Sequence, residues 1–318
     1  MVGGVGPADG GDGGDGGDGG DGGDGGGLAV AYSSSAWRPI GVSPALTKPP
    51  TDDWWRGDKW PPADWDNKWT QAKATRFPRR AWSAFHYSIA ILAEFVMEKA
   101  GSWDTIDVET QVPIPTATTK PSLDDEIEEL IALIEYRPAV MSEALRQRDN
   151  MLTYWCGFLM FGRASHPLTY DLMEIALRVG QFQAMHYKRM ANNGKGRPRP
   201  SQLSPALMPP IEVPGHASYP SGHATEAYLI SNCLAEVMPP AASKPTVPST
   251  APNAEDTTPL QRLAQRIARN REVMGVHYRS DSEAGKYLAK KTFDLLKTCP
   301  TIASIIVDAK KEWKSPLY

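Results

Sequence analysis

Glycine is spread so unevenly along this chain that it fixes what can and cannot fold. Sixteen of the 28 glycines fall within residues 1–27, leaving only 12 for everything after. Residues 8–27 repeat Asp-Gly-Gly with a period of three. Collagen needs one glycine per triplet together with proline, whereas this repeat has two glycines and no proline. Calcium-binding β-rolls need an aliphatic residue in each turn, and none is present. A repeat with nothing to bury cannot offset its chain entropy, so residues 1–50 are expected to form a disordered leader. The glycine-poor remainder, rich in alanine, leucine and methionine, leans towards helix.

At 318 residues, 41% apolar and 22% charged, the chain is long enough to bury a sizeable core. The net charge is −3, and six of the acids are the leader aspartates Asp9, Asp12, Asp15, Asp18, Asp21 and Asp24. Without them the balance is near +3, too weak a field to argue for nucleic acid or a membrane surface. The longest apolar stretches, Ser88–Met97 and Met151–Phe161, are too short to span a bilayer, and Glu94 interrupts the first. No basic start followed by an apolar run marks a secretory signal. Cys156, Cys233 and Cys299 form an odd, widely spaced set without a CxxC pair. A cytoplasmic protein without integral membrane association is the expectation.

Residues 51–82 carry six of the ten tryptophans: Trp54, Trp55, Trp60, Trp65, Trp69 and Trp82. They are expected to form an irregular strap whose indoles pack on a helical body. Residues 83–318 supply that body, a helical catalytic domain. Apolar positions recur at intervals of three and four in Arg80–Ala100, Ser122–Arg148 and Pro167–Met190. Ser122 to Asp125 has the pattern of a capping box. Asn150–Phe161, Ser221–Val237, Pro259–Gly275, Asp281–Leu296 and Ile302–Trp313 read as further helices. Residues 239–259 form a Pro/Ser/Thr/Ala surface linker. No alternating strand run is present, so the fold class expected is all-α, a helical bundle.

Three short segments carry chemistry. In the first, a helix ending at Lys188 and Arg189 runs into Gly194-Lys-Gly-Arg-Pro-Arg-Pro200, collecting positive charge on a proline-stiffened loop. A solvated basic loop is the plainer alternative. In the second, Gly215-His-Ala-Ser-Tyr-Pro-Ser-Gly-His-Ala-Thr225, Ser221 can cap a helix and Gly222 lets backbone approach a ligand closely. Free amides at that helix start attract an anion, and His223 in the first turn can donate a proton to it. In the third, Asn270 to Asp281, His277 and Asp281 are four apart and would share a helix face, with the carboxylate fixing the imidazole tautomer. Arg271 lies on the wrong face of an unbroken helix, and Gly275 suggests a bend that brings it round. Together these groups suit a tetrahedral or trigonal-bipyramidal oxyanion with two to three negative charges. His86, His166 and His186 are expected to be structural.

These segments resemble a superfamily that joins type 2 phosphatidic acid phosphatases, bacterial acid phosphatases and vanadium-dependent haloperoxidases. Its pattern is Lys, six residues, Arg-Pro; then Pro-Ser-Gly-His; then Arg, five residues, His, three residues, Asp. Pro220-Ser-Gly-His223 matches in full, as does the spacing of Arg271, His277 and Asp281, with Asn270 where serine is common. Lys188 precedes Arg199 by eleven residues instead of seven, which implies a four-residue insertion within Met190–Gly196; Lys195 is the competing lysine. The resemblance spans roughly Pro167–Leu296. It implies a helical bundle in which Lys188, Arg199 and Arg271 neutralise the anion while Ser221 and the Gly222 amide donate to it. It also implies that His277, oriented by Asp281, is the nucleophile of a phosphatase or the axial vanadate ligand of a haloperoxidase, with His223 as general acid.

Two details lean towards haloperoxidase. His216 stands seven before His223, where bromoperoxidases of this superfamily also carry histidine, and marks a candidate halide or peroxide pocket. His277-Tyr-Arg279 resembles the corresponding haloperoxidase segment. Ser280-Asp-Ser-Glu-Ala-Gly285 resembles the acid phosphatases instead. The expected function is therefore halide oxidation by hydrogen peroxide with vanadate as cofactor. The alternatives are phosphomonoester hydrolysis without a cofactor, or a non-catalytic oxyanion-binding or scaffold protein. The tryptophan strap leaves a homo-oligomer open.

Overall fold

The computed structural model describes residues 77, 79–158, 160–248 and 254–314. The leader and the tryptophans from Trp54 to Trp69 lie outside these. Phe77 and residues 79–83 belong to a separate unit from the helices that begin at Ala84. Within it, a short 3-10 turn, Arg79–Ala81, precedes Trp82, whose ring meets Phe77 edge-on.

From Ala84 onward every element among the described residues is helical. In chain order these are α1 (Ala84–Glu98), α2 (Val108–Gln111), α3 (Leu123–Ala132), α4 (Arg137–Asn150), α5 (Leu152–Phe158) and α6 (Pro167–Gly194). Then follow α7 (Pro200–Leu203), α8 (Gly222–Ala235), α9 (Pro240–Ser243), α10 (Pro259–Val273), α11 (Arg279–Leu296) and α12 (Pro300–Glu312). The Ser122 cap forms as expected: its hydroxyl accepts from the Asp125 amide and the Asp125 carboxylate accepts from the Ser122 amide. The single helix expected over Ser122–Arg148 is instead two, separated by a 3-10 turn at Leu133–Tyr136. Pro138 explains the break, because it has no amide for an i−4 bond and fits only the first turn of a new helix. The expected surface linker contains α9 and a 3-10 turn, Ala254–Thr257.

The bundle is organised around α8. Of its fourteen residues only Asn232 and Ala235 keep appreciable exposure. Its sequence explains this: small and apolar residues surround the axis, there is no lysine or arginine, and a helix without a polar face must be central. It packs against α6, α10 and α11, with α1 and α12 on the outer side of α6. Its main apolar contacts form one core with α1, α5, α6, α10 and α12. A second cluster gathers Leu130, Leu133, Ala144, Val273, Val276 and Tyr278, anchoring the chain between α10 and α11. A third joins Tyr187, Ala191, Tyr219 and Leu288, pinning the loop before α8 to the end of α6. The first two motif segments are thus held to each other by the third cluster, and the last is held by the second. No described helix is long and apolar enough to cross a membrane.

Candidate functional site

Lys188 lies on the buried side of α6, 2% exposed, and its Nζ donates to the carbonyls of Ala217 (2.8 Å) and Ser218 (3.1 Å). Just beyond it the helix ends. Ala191 turns to an extended ψ, and Asn192, Asn193 and Gly194 adopt positive φ, a region that Asn and Gly tolerate. The Gly196 amide then closes back on the Ala191 carbonyl at 3.0 Å. The stretch between Lys188 and Arg199 thus makes a left-handed excursion. Lys195 is exposed on it.

Arg197 and Arg199 each precede a proline, which holds both extended and sends their side chains the same way. Both reach the segment between α10 and α11. Arg199 Nη1 meets the Val276 carbonyl at 2.8 Å and His277 Nε2 at 3.0 Å. Its Nε donates to the His216 carbonyl at 2.9 Å, and its Nη2 lies 3.0 Å from His216 Nδ1. The half-buried His216 is therefore part of the cluster rather than a remote loop residue.

The bend expected at Gly275 is present. With φ +74° it follows the last turn of α10, its amide bonding the Glu272 carbonyl (2.8 Å) and the Val276 amide bonding the Arg271 carbonyl (3.2 Å). That pair of bonds is a Schellman ending, which requires a left-handed residue and so a glycine. His277 emerges before α11, not on it, which corrects the expected shared helix face. Asp281 is the third residue of α11, and its carboxylate accepts from the Tyr278 amide (3.0 Å) and faces His277 Nδ1 (3.1 Å). The contact arises from a helix start rather than an i,i+4 pair.

The tautomer of His277 follows from its neighbours. Arg199 can only donate, so Nε2 must present its lone pair, and the proton must sit on Nδ1 facing Asp281. Asp281 is fully buried. Burial pushes its carboxyl up, but the Arg197 guanidinium, the hydrogen bond from His277 and the Ser218 hydroxyl outweigh this and hold it well below the usual carboxylate range. Ser218 Oγ reaches Asp281 Oδ2 at 2.5 Å, and Arg197 Nη1 reaches Oδ1 at 2.7 Å.

The second motif is tied to the same helix start, since the Ser221 amide donates to the Asp281 carbonyl at 3.0 Å. Ser221 caps α8 by accepting from the Ala224 amide (3.4 Å), which leaves its own proton to donate elsewhere. Gly222 and His223 are the first two residues of α8, and His223 is fully buried. The approach of α11 is close: a Cβ on Gly285 would stand 2.8 Å from the Ser221 carbonyl and 2.9 Å from Ala224 Cβ. Arg271 is 2% exposed and its Nη2 donates to the Ala144 carbonyl in α4. His166 stacks on Trp313, and His186 meets Trp103 edge-on.

Sequence reasoning counted Arg197 among the loop charges without assigning it to the site, and it missed Ser218 and Glu126. Glu126 Oε2 accepts from Arg197 Nη2 at 2.7 Å, and Oε1 accepts from the Ser280 amide at 2.8 Å. A signal was present: Glu126 falls on the stripe of α3 that buries Leu130 and Leu133, an unusual place for a carboxylate. Among the described residues no group of three or more His, Cys, Asp or Glu side chains is arranged for a bare cation. Comparison with protein-family models and with curated proteins finds no match for this chain.

Proposed function

We propose that the chain is an oxyanion enzyme of the haloperoxidase and acid phosphatase type, acting in vanadate-dependent oxidation of halide by hydrogen peroxide. The observation that carries this is the His277 ring, with Nδ1 committed to Asp281 and the Nε2 lone pair turned to Arg199. The donor set suits vanadate: two guanidiniums, one ammonium, a hydroxyl, a helix start and one imidazole lone pair, which together favour an oxyanion over a bare cation. When bound, vanadate supplies the activation of peroxide towards halide. His277 Nε2 would hold it, while Lys188, Arg199 and Arg271 would neutralise its oxygens and Ser221 and the Gly222 amide would donate to them. His223, in the first turn of α8, would deliver or hold the proton. His216, which shares Arg199, would tune the approach of peroxide or halide.

Phosphomonoester hydrolysis is the second reading, favoured by the same lone pair: Nε2 attacks phosphorus while His223 protonates the leaving alcohol. The experiment is to load the protein with orthovanadate and assay bromination of a phenol dye with peroxide, beside hydrolysis of an aryl phosphate without vanadate. Bromination that phosphate competes away supports the first reading; hydrolysis that vanadate inhibits, without bromination, supports the second. Neither activity, or activity unchanged in His277→Ala, refutes both and leaves the binding or scaffold alternative.

A further inference from the structure

Arg197 and Glu126 form a buried extension of the His277–Asp281 pair. Arg197 is held between two carboxylates at 2.7 Å each, Asp281 and Glu126, with its guanidinium 3.6 Å over the Tyr278 ring. Glu126 in turn grips the start of α11 through the Ser280 amide and hydroxyl. Both arginine and glutamate are 3% exposed, so water screens neither. A lone arginine would cancel the charge of Asp281 and leave little with which to support positive charge growing on His277. Glu126 draws on the same guanidinium, so the chain Glu126–Arg197–Asp281 keeps one net negative charge beside the imidazole. We propose that Arg197 and Glu126 are positioning residues of the site: Arg197 fixes the Asp281 carboxylate in place, and Glu126 preserves its charge towards His277.

The inference rests on the role proposed for His277, and the test separates the two. The near-isosteric Glu126→Gln keeps the shape of the side chain but removes its negative charge and one of its two acceptor oxygens. It should bind orthovanadate, followed by 51V NMR, at least as tightly as the native chain, while turnover of the activity found falls about tenfold. Arg197→Lys keeps the charge and loses the fork, so it should lose turnover and recover part of it relative to Arg197→Gln. A role confined to holding the loop would weaken binding and turnover together, because Arg199 sits two residues along. A readout independent of activity is the proton of His277 Nδ1, assigned by its loss in His277→Gln. Its resonance should move in both Glu126→Gln and Arg197→Lys. An unmoved resonance in folded Glu126→Gln, or parallel loss of binding and turnover there, overturns the inference. A native chain that binds no vanadate and turns over neither substrate defeats the proposed function, while the Nδ1 proton still decides the role of Arg197 and Glu126.

Discussion

Replacing Gly285 with alanine tests the helix crossing on which the site depends. On propensity alone the change should help, since alanine inside a helix is better than glycine by about 1 kcal/mol. The packing says the opposite. The new methyl would lie 2.8 Å from the Ser221 carbonyl oxygen, 2.9 Å from Ala224 Cβ and 3.0 Å from the Thr225 amide nitrogen. Two of these are backbone atoms that cannot swing aside. Restoring a normal carbon contact of roughly 3.5 Å requires α8 and α11 to part by about 0.6 Å. Overpacking of this kind costs about 1–3 kcal/mol, so after the propensity gain the net loss is about 1 kcal/mol. For a unit of this size that lowers Tm by about 2–4 °C. The shift falls on the Ser221 cap and its bond to Asp281, so anion affinity or turnover should drop by about tenfold as well. Calorimetry and vanadate titration read both effects. A Gly285→Ala chain that melts higher than native and binds vanadate equally well refutes the close crossing.

Asp281→Asn should lower kcat on the order of 10³-fold, because the amide no longer enforces the Nδ1–H tautomer; this is read in the activity assay. The acid response of the same variant has a fixed sign. The carboxyl is depressed in the folded chain, so it stabilises above the unfolded value near pH 4. That stability is lost as pH falls through the folded value, so denaturation midpoints should depend less on pH below about 4 in the asparagine variant. Lys188→Met should weaken orthovanadate binding at least tenfold whereas Lys195→Met leaves it unchanged, and equal losses by 51V NMR would contradict the assignment of the lysine. His216→Ala should retain vanadate but change the KM for bromide or peroxide, measured by steady-state bromination.

Much of this was written in the sequence because it is local. The Ser122 and Ser221 caps, the bend at Gly275 and the apolar spacing of α1 and α6 each depend on residues within one or two turns, and all are legible. Pro138 was equally visible yet was read through, since periodicity on both sides of it agrees. The route by which His277 meets Asp281 was misread because equal spacing serves both a helix face and a helix start; only the Schellman turn distinguishes them. Glu126 and Ser218 could not be assigned, for Glu126 meets Arg197 from 71 positions away and Ser218 meets Asp281 from 63, and no local rule couples them. Spacing alone does not choose between Lys188 and Lys195, because it does not show that one is buried against the loop before α8 and the other exposed.

The cationic groups of the three segments rest on main-chain oxygens: Lys188 on Ala217 and Ser218, Arg199 on His216 and Val276, Arg271 on Ala144. Those carbonyls hold the ammonium and guanidinium heads at fixed stations. On the proposed reading, an incoming oxyanion would exchange places with them, and its binding free energy would pass directly to the fold. At a hundredfold excess over Kd that would amount to about 2.7 kcal/mol, so a rise in the melting temperature with added orthovanadate would double as a gauge of loading.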